Sequence, residues 1–228
     1  MAIETLCIGV LGKHPSYGDF LRAGLTEQTA DAVSAWLDQS LAALRDDLGN
    51  DWAGFWDAAQ DLRFWIGRGV MGRTLVGVLR PSRDRVGRRY PLILMLEGAA
   101  VPPPVMDTEQ AIWDSLASHL DAMTPGKGAR ALLDGLAPPA MAEDVITASI
   151  GPTIWAHHPE GDLEALLRAA ASADAERACL TRSYWWSPGS SDRTAVWLGC
   201  PGLPGMAALA WLLAGVAADK SPEVFQNA

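Results

Sequence analysis

Lys13, His14, Ser16, Tyr17 and Asp19 fall within seven positions, between Gly12 and Phe20. An imidazole near a hydroxyl suits nucleophilic hydrolysis, and a lysine beside a glycine suits holding a phosphate. Neither spacing follows the pattern that chemistry needs. A phosphate loop requires a glycine five residues before Gly12 and a Ser or Thr after the lysine. Cys7 and His14 stand there instead. No serine has the G-x-S-x-G surroundings of a hydrolase elbow, although a triad partner from elsewhere in the fold keeps a hydrolase reading open. His14, His119, His157 and His158 lack metal-ligand spacing and read as free surface histidines. Pro15 fixes a backbone angle and Gly18 admits conformations closed to other residues, so the stretch is a shaped loop. The plainer alternative is a tight turn leading into the first helix.

Two further clusters stand out. Seven arginines (68, 73, 80, 83, 85, 88, 89) and one acid, Asp84, give residues 68–89 a charge of +6, against −9 for the whole chain. Arginine binds carboxylate and phosphate in a bidentate manner, so a basic loop on an acidic protein suits an acidic or phosphorylated partner. The competing reading is a solvated loop in which Asp84 pairs with Arg83, Arg88 or Lys13. The third cluster is Tyr184-Trp185-Trp186. Side chains alternate along a strand, so one of the two tryptophans turns away from the core, either to cover a groove or meet a partner or, more commonly, to pack under a helix.

The elements that must position these residues follow from periodicity. An apolar run over 4–11 predicts a strand ahead of the 12–21 loop. Thr26 with Thr29 opens a helix that Gly49-Asn50 ends, and a short aromatic helix covers 52–59. Strands at 62–66, 74–79 and 92–96 with short connections predict an antiparallel meander. After the proline connector 101–104, helices are expected at 108–123, capped by Thr108, and at 129–136, ended by Pro138-Pro139. A strand at 153–156 and a helix at 163–173 follow. A hairpin of 181–186 with 194–198 precedes a last helix at 203–217. The fold class is α/β, a three-layer sandwich with a mixed, largely antiparallel sheet and helices on both faces. One domain over 1–228 is expected, since a separate unit beyond 101–104 would have a thin core.

Composition narrows the function. The chain has 228 residues, ten tryptophans against four phenylalanines, and three widely spaced cysteines without a CxxC pair. Its acidity disfavours nucleic acid. The cysteine usage fits a reducing compartment, with neither a disulfide scaffold nor a zinc site. No signal sequence or membrane-length apolar run appears, so a cytoplasmic location without membrane insertion is expected.

Several stretches resemble one family. Residues 12–21, GKHPSYGDFL, are similar to its G-K-x-P-x-x-G-D-F-[LV] opening, and residues 81–92, PSRDRVGRRYPL, to its P-S-x-D-x-x-G-R-x-[YF]-P block. Residues 183–186 and 202–204 resemble its weaker S-x-W-W and G-L-P elements. The family is the type VI secretion-associated TagF (ImpM) family. The resemblance implies a three-layer α/β sandwich and a cytoplasmic, non-enzymatic posttranslational repressor of secretion assembly or firing. It implies action through a forkhead-associated scaffold, linked to a Ser/Thr kinase and a PP2C-type phosphatase. Some members are fused to such a phosphatase; a separate phosphatase is expected here, because no such domain precedes Ala228. It carries over no catalytic residues, cofactor or metal. The candidate partner-binding residues are Lys13, His14, Ser16, Asp19, Arg83, Asp84, Arg88, Tyr90, Trp185 and Trp186. The alternative is a small hydrolase or phosphoryl-handling enzyme using the 12–21 loop and the 80–90 loop. Both readings place these loops side by side at one end of the sheet. Asp19 or Asp84 then braces Arg88 or Lys13, and Gly87 admits close backbone approach.

Overall fold

The computed structural model describes residues 6–136 and 159–217. The strand expected at 153–156, the prolines 138–139 and His157-His158 lie outside them. The first strand, β1 (Cys7–Gly12), is followed by a short strand β2 (Leu21–Ala23), which the sequence reading did not expect. Thr26 caps helix α1 (Glu27–Leu48) as expected, accepting the Thr29 N–H on its hydroxyl. A single turn of 3₁₀ helix leads into α2 (Trp52–Asp57), then β3 (Leu62–Ile66), a one-turn helix α3 (Arg68–Met71), β4 (Leu75–Arg80) and β5 (Leu92–Glu97). Beyond the prolines come α4 (Ala111–Ala122), a 3₁₀ turn over Ala129–Leu133, and α5 (Leu163–Leu180). The chain continues with β6 (Arg182–Ser187), β7 (Arg193–Thr194), β8 (Val196–Pro201), α6 (Met206–Ala214) and β9 (Val216–Ala217).

Thr108 does not cap α4. The helix starts three residues later, where the Glu109 carboxylate accepts the N–H groups of Gln110 and Ala111. The last helix is likewise shorter than expected. Gly205 precedes it, and Gly215, at φ +67°, ends it before β9.

The main sheet has seven strands in the order β2-β1-β5-β4-β3-β6-β8. Every neighbouring pair is antiparallel, so no parallel pairing enters it. The β3–β4–β5 meander forms as expected. Strand β6, from beyond the proline connector, joins the free edge of β3 and pairs Arg63 with Trp186 and Ile66 with Ser183. Alternate side chains feed two cores. On one face Leu11, Phe64, Leu79, Ile93 and Trp185 pack under α1, α2 and α6. On the other, Val10, Trp65, Val78, Leu94 and Trp186 pack under α4 and the end of α5. The result is a helix–sheet–helix sandwich. Its central strands are apolar on both faces, as the uninterrupted run Leu92 to Leu96 requires.

Candidate functional site

At the end of the sheet where β1 and β4 finish and β5 begins, the two polar loops lie against each other. Gly12 sits at φ +120°, and a Cβ there would land on the Pro91 carbonyl oxygen, so only glycine lets the loops close. The Lys13 N–H then donates to that oxygen at 3.1 Å, and the Arg85 N–H donates to the Tyr17 carbonyl at 2.8 Å.

Asp84 is the centre of the junction. Its carboxylate is buried; Oδ1 accepts the N–H groups of Val86 and Arg88, and Oδ2 accepts Arg88 Nε at 2.6 Å. Lys13 Nζ lies 3.2 Å from the same Oδ2. Burial on its own would raise the carboxyl's pKa. The bonds from Arg88 and Lys13 outweigh it and hold the group well below the usual carboxylate range. Arg88 also reaches across to the Gly18 carbonyl at 2.6 Å. One carboxylate therefore staples both loops. Of the two expected braces Asp84 serves, whereas Asp19 is exposed and makes no hydrogen bond among the described residues.

The glycines act differently from expectation. Gly87 has no neighbour near its missing side chain; it is there for φ +88° in the Asp84–Gly87 turn, not for close approach. Gly18 does not adopt a positive φ, but the Arg85 guanidinium lies 3.3 Å from where its Cβ would be.

His14 is half-buried, which lowers its pKa, and its ring packs edge-on against Tyr17. Its Nδ1 accepts the Ser16 N–H at 3.1 Å, so the imidazole serves the loop backbone and not the Ser16 hydroxyl. That hydroxyl is exposed, with no hydrogen bond among the described residues. The Tyr17 hydroxyl donates to the Gly126 carbonyl and accepts the Gly126 N–H. His119 is also hydrogen-bonded, to the Leu132 carbonyl. Neither histidine is the free surface residue expected. Tyr90 donates to Asp38 at 3.0 Å, and burial, then Asp38, pushes its pKa up. Its ring meets Phe20 edge-on at 5.3 Å.

The +6 segment does not form one patch. Arg68 and Arg73 lie at the opposite end of β4, where Arg73 pairs with buried Glu97 at 2.9 Å. Arg80 bonds Asp61 and Asp121, and Arg89 grips Asp57 through two bonds. Arg83 and Arg85 are exposed and make no side-chain hydrogen bond or ion pair among the described residues. Arg85 was absent from the expected site residues, and its place over Gly18 becomes visible only in three dimensions. A shallow cavity of about 340 Å³ opens beside Arg83, lined also by Trp56, Asp57, Pro81 and Ser82.

Trp185 and Trp186 do not belong to this surface. Alternation sends them to opposite faces, but helices cover both, leaving them 1% and 8% exposed. Trp185 packs against Trp36 and Phe64, and Trp186 packs against Trp113 and donates to Gln110. On the neighbouring strand Trp197 of β8 is half-exposed, stacked on Tyr184 at 5.9 Å. Among the described residues no cluster of acids, histidines or cysteines is placed to hold a metal ion. No described helix is long and apolar enough to cross a membrane.

The chain is similar to the protein PA0076 of Pseudomonas aeruginosa PAO1, with a TM-score of 0.68 to its crystal structure and 25% sequence identity. That likeness covers 97% of this chain and 99% of the other. No curated protein matches it. A family model described as the TagF N-terminal domain, type VI secretion system-associated, matches residues 9–137, a span that contains both loops of the Asp84 junction. The chain therefore belongs to the type VI secretion-associated TagF family.

Proposed function

We propose that this chain is a non-enzymatic, cytoplasmic regulator that represses type VI secretion assembly or firing. It does so by binding a forkhead-associated scaffold, and the stapled loop end is its docking face. The observation that carries the reading is the Asp84 junction. The two longest stretches that mark the family meet on one buried carboxylate, with arginines turned outward around it. A rigid, pre-shaped loop pair loses little conformational entropy on binding. Lys13, Asp84 and Tyr90 shape the face from within, His14 sets the backbone of the first loop, and Ser16, Asp19, Arg83 and Arg88 border the partner. A PP2C-type phosphatase and a Ser/Thr kinase are functionally linked to the same switch. Residues 1–228 work as a single unit, a reading supported by the pairing of β6 with β3 across the proline connector.

The geometry does not favour the hydrolase reading: His14 Nδ1 is taken by a backbone N–H, and among the described residues no base is hydrogen-bonded to the Ser16 hydroxyl. Calorimetric titration with the forkhead-associated scaffold of the same secretion cluster tests the proposal. The wild type is expected to bind. An Arg83→Ala/Arg88→Ala variant, its fold checked by circular dichroism, is expected to bind roughly tenfold more weakly, as for rim charges contributing up to about 1 kcal/mol each. Absence of wild-type binding would remove the scaffold from the proposal.

A further inference from the structure

The turn over residues 83–88 carries three arginines but only one acid, and that acid faces inward. Asp84 is spent on Arg88, Lys13 and two backbone N–H groups, so it neutralises nothing outside the junction. Arg83 and Arg85 remain exposed without a side-chain hydrogen bond or close ion pair among the described residues, although Arg83 lies near enough to Asp57 to act on its charge. Nor do they converge. Arg85 lies over Gly18 on the first loop, whereas Arg83 borders the cavity beside Trp56 on the α2 side. Directly after Arg85, Val86 stands 68% exposed, and Phe20, 43% exposed, lies on Tyr90 along the same loop end. A single phosphate is best held by guanidiniums that close on one point. Guanidiniums set against different neighbours, with an exposed valine beside one of them, suit separate carboxylates spaced along an extended chain. The turn itself is fixed in shape by Asp84 and Gly87, which lowers the ordering cost of such a contact.

We infer that the 83–88 turn docks an extended, carboxylate-rich segment of a partner protein. One acidic side chain meets Arg85 above Gly18, another meets Arg83 beside Trp56, and an apolar side chain lies on Val86 next to Arg85. This inference rests on the loop end being the docking face, and it names the chemistry recognised there.

The test uses the full chain and three labelled peptides in fluorescence anisotropy. One alternates Glu with Leu, one replaces each Glu by Gln, and one is the Gln peptide with a single phosphoserine. The acidic peptide is expected to bind at low salt and weaken as salt rises, and the Gln peptide is expected not to bind. The R83E/R85E variant, which touches no bond of the junction, is expected to bind the acidic peptide at least about tenfold more weakly with its melting temperature unchanged. Equal binding of the Gln peptide, failure of the acidic peptide at low salt, or tighter binding of the phosphopeptide would each overturn the inference. So would a concentration-dependent dimer that R83E/R85E abolishes, since the occupant would then be a second copy. Scaffold binding that is indifferent to R83E/R85E would overturn this chemistry and leave the regulator reading standing. Acidic-peptide binding without scaffold binding would do the reverse.

Discussion

Each end of the main sheet holds a buried carboxylate, and the two are used differently. At the end of β5, Glu97 accepts the Thr26 N–H and the Thr26 and Thr29 hydroxyls, and pairs with the mostly buried Arg73. The groups bonded to it are the cap and first turn of α1 and Arg73 in the bend before β4, so the network fastens a helix and a loop to the end of a strand. Asp84, at the other end, holds Lys13 and Arg88, and the Arg88 side chain remains 61% exposed. The same device, a carboxylate whose charge is compensated inside the protein, closes one end and presents the other. Ion pairing alone therefore does not mark a functional site. What distinguishes the loop end is the cation surplus left over once the carboxylate is satisfied.

The largest expected effect lies at the sealed end. Glu97→Ala removes the acceptor of three donors around α1 and the carboxylate that Arg73 pairs with, and removing one partner of a buried pair costs about 3–5 kcal/mol. Thermal unfolding is expected to fall by on the order of 10 °C, with peptide binding at the loop end retained. A stable variant that had lost binding would erase the distinction drawn between the two ends.

Asp84→Asn comes next. The amide keeps an acceptor for the Val86 and Arg88 N–H groups but frees Lys13 and the Arg88 side chain. Unfolding is expected to drop by only roughly 2–4 °C. Hydrogen exchange at residues 85–88 is expected to speed up about tenfold, without change in α1.

Acid sharpens the comparison further. Folding holds the Glu97 and Asp84 carboxyls below their ordinary values, after the opposing effect of burial. Their contribution is thus complete above the unfolded carboxylate value near pH 4 and drains away as pH falls through the depressed folded values. Urea midpoints measured on acidification from neutral pH are expected to decline below about pH 4, and less steeply in Glu97→Gln than in the wild type. The smallest effect is that of Arg83→Ala/Arg85→Ala, whose melting temperature is expected to stay within roughly 2 °C of wild type. A larger drop would make these arginines structural.

Local signals in the sequence were read well where one residue decides the backbone. Thr26 announces a cap, and the apolar runs with short connections announce the meander. The contact between the 12–21 and 80–90 loops was legible because both follow strands that end on the same side. Long-range pairing left no such trace. Nothing near Trp185 or Trp186 says that β6 enters the sheet against β3, so alternation leaves open whether the outward ring meets a partner or packs under a helix. The continuous run Leu92 to Leu96 favours the second, since a strand apolar at every position is covered twice. Glu97 was passed over as the end of that run, although an acid directly following a buried strand needs a partner. Arg73 was counted with the basic loop because charge was summed along the chain, and a strand six residues long separates it from that loop in space.

The placement of β6 also sets an order of events in time. Its partner β3 lies about 120 residues earlier, and until β6 arrives β3 is an edge strand carrying Phe64 and Trp65. At roughly 5–20 residues per second, a ribosome takes on the order of 6–25 s to deliver that missing neighbour. During this interval the nascent chain already holds the complete Asp84 junction, all of it within residues 12–91, beside an open hydrogen-bonding edge. A newborn molecule can therefore complete the Asp84 junction on a half-finished sheet while the β3 edge is still open.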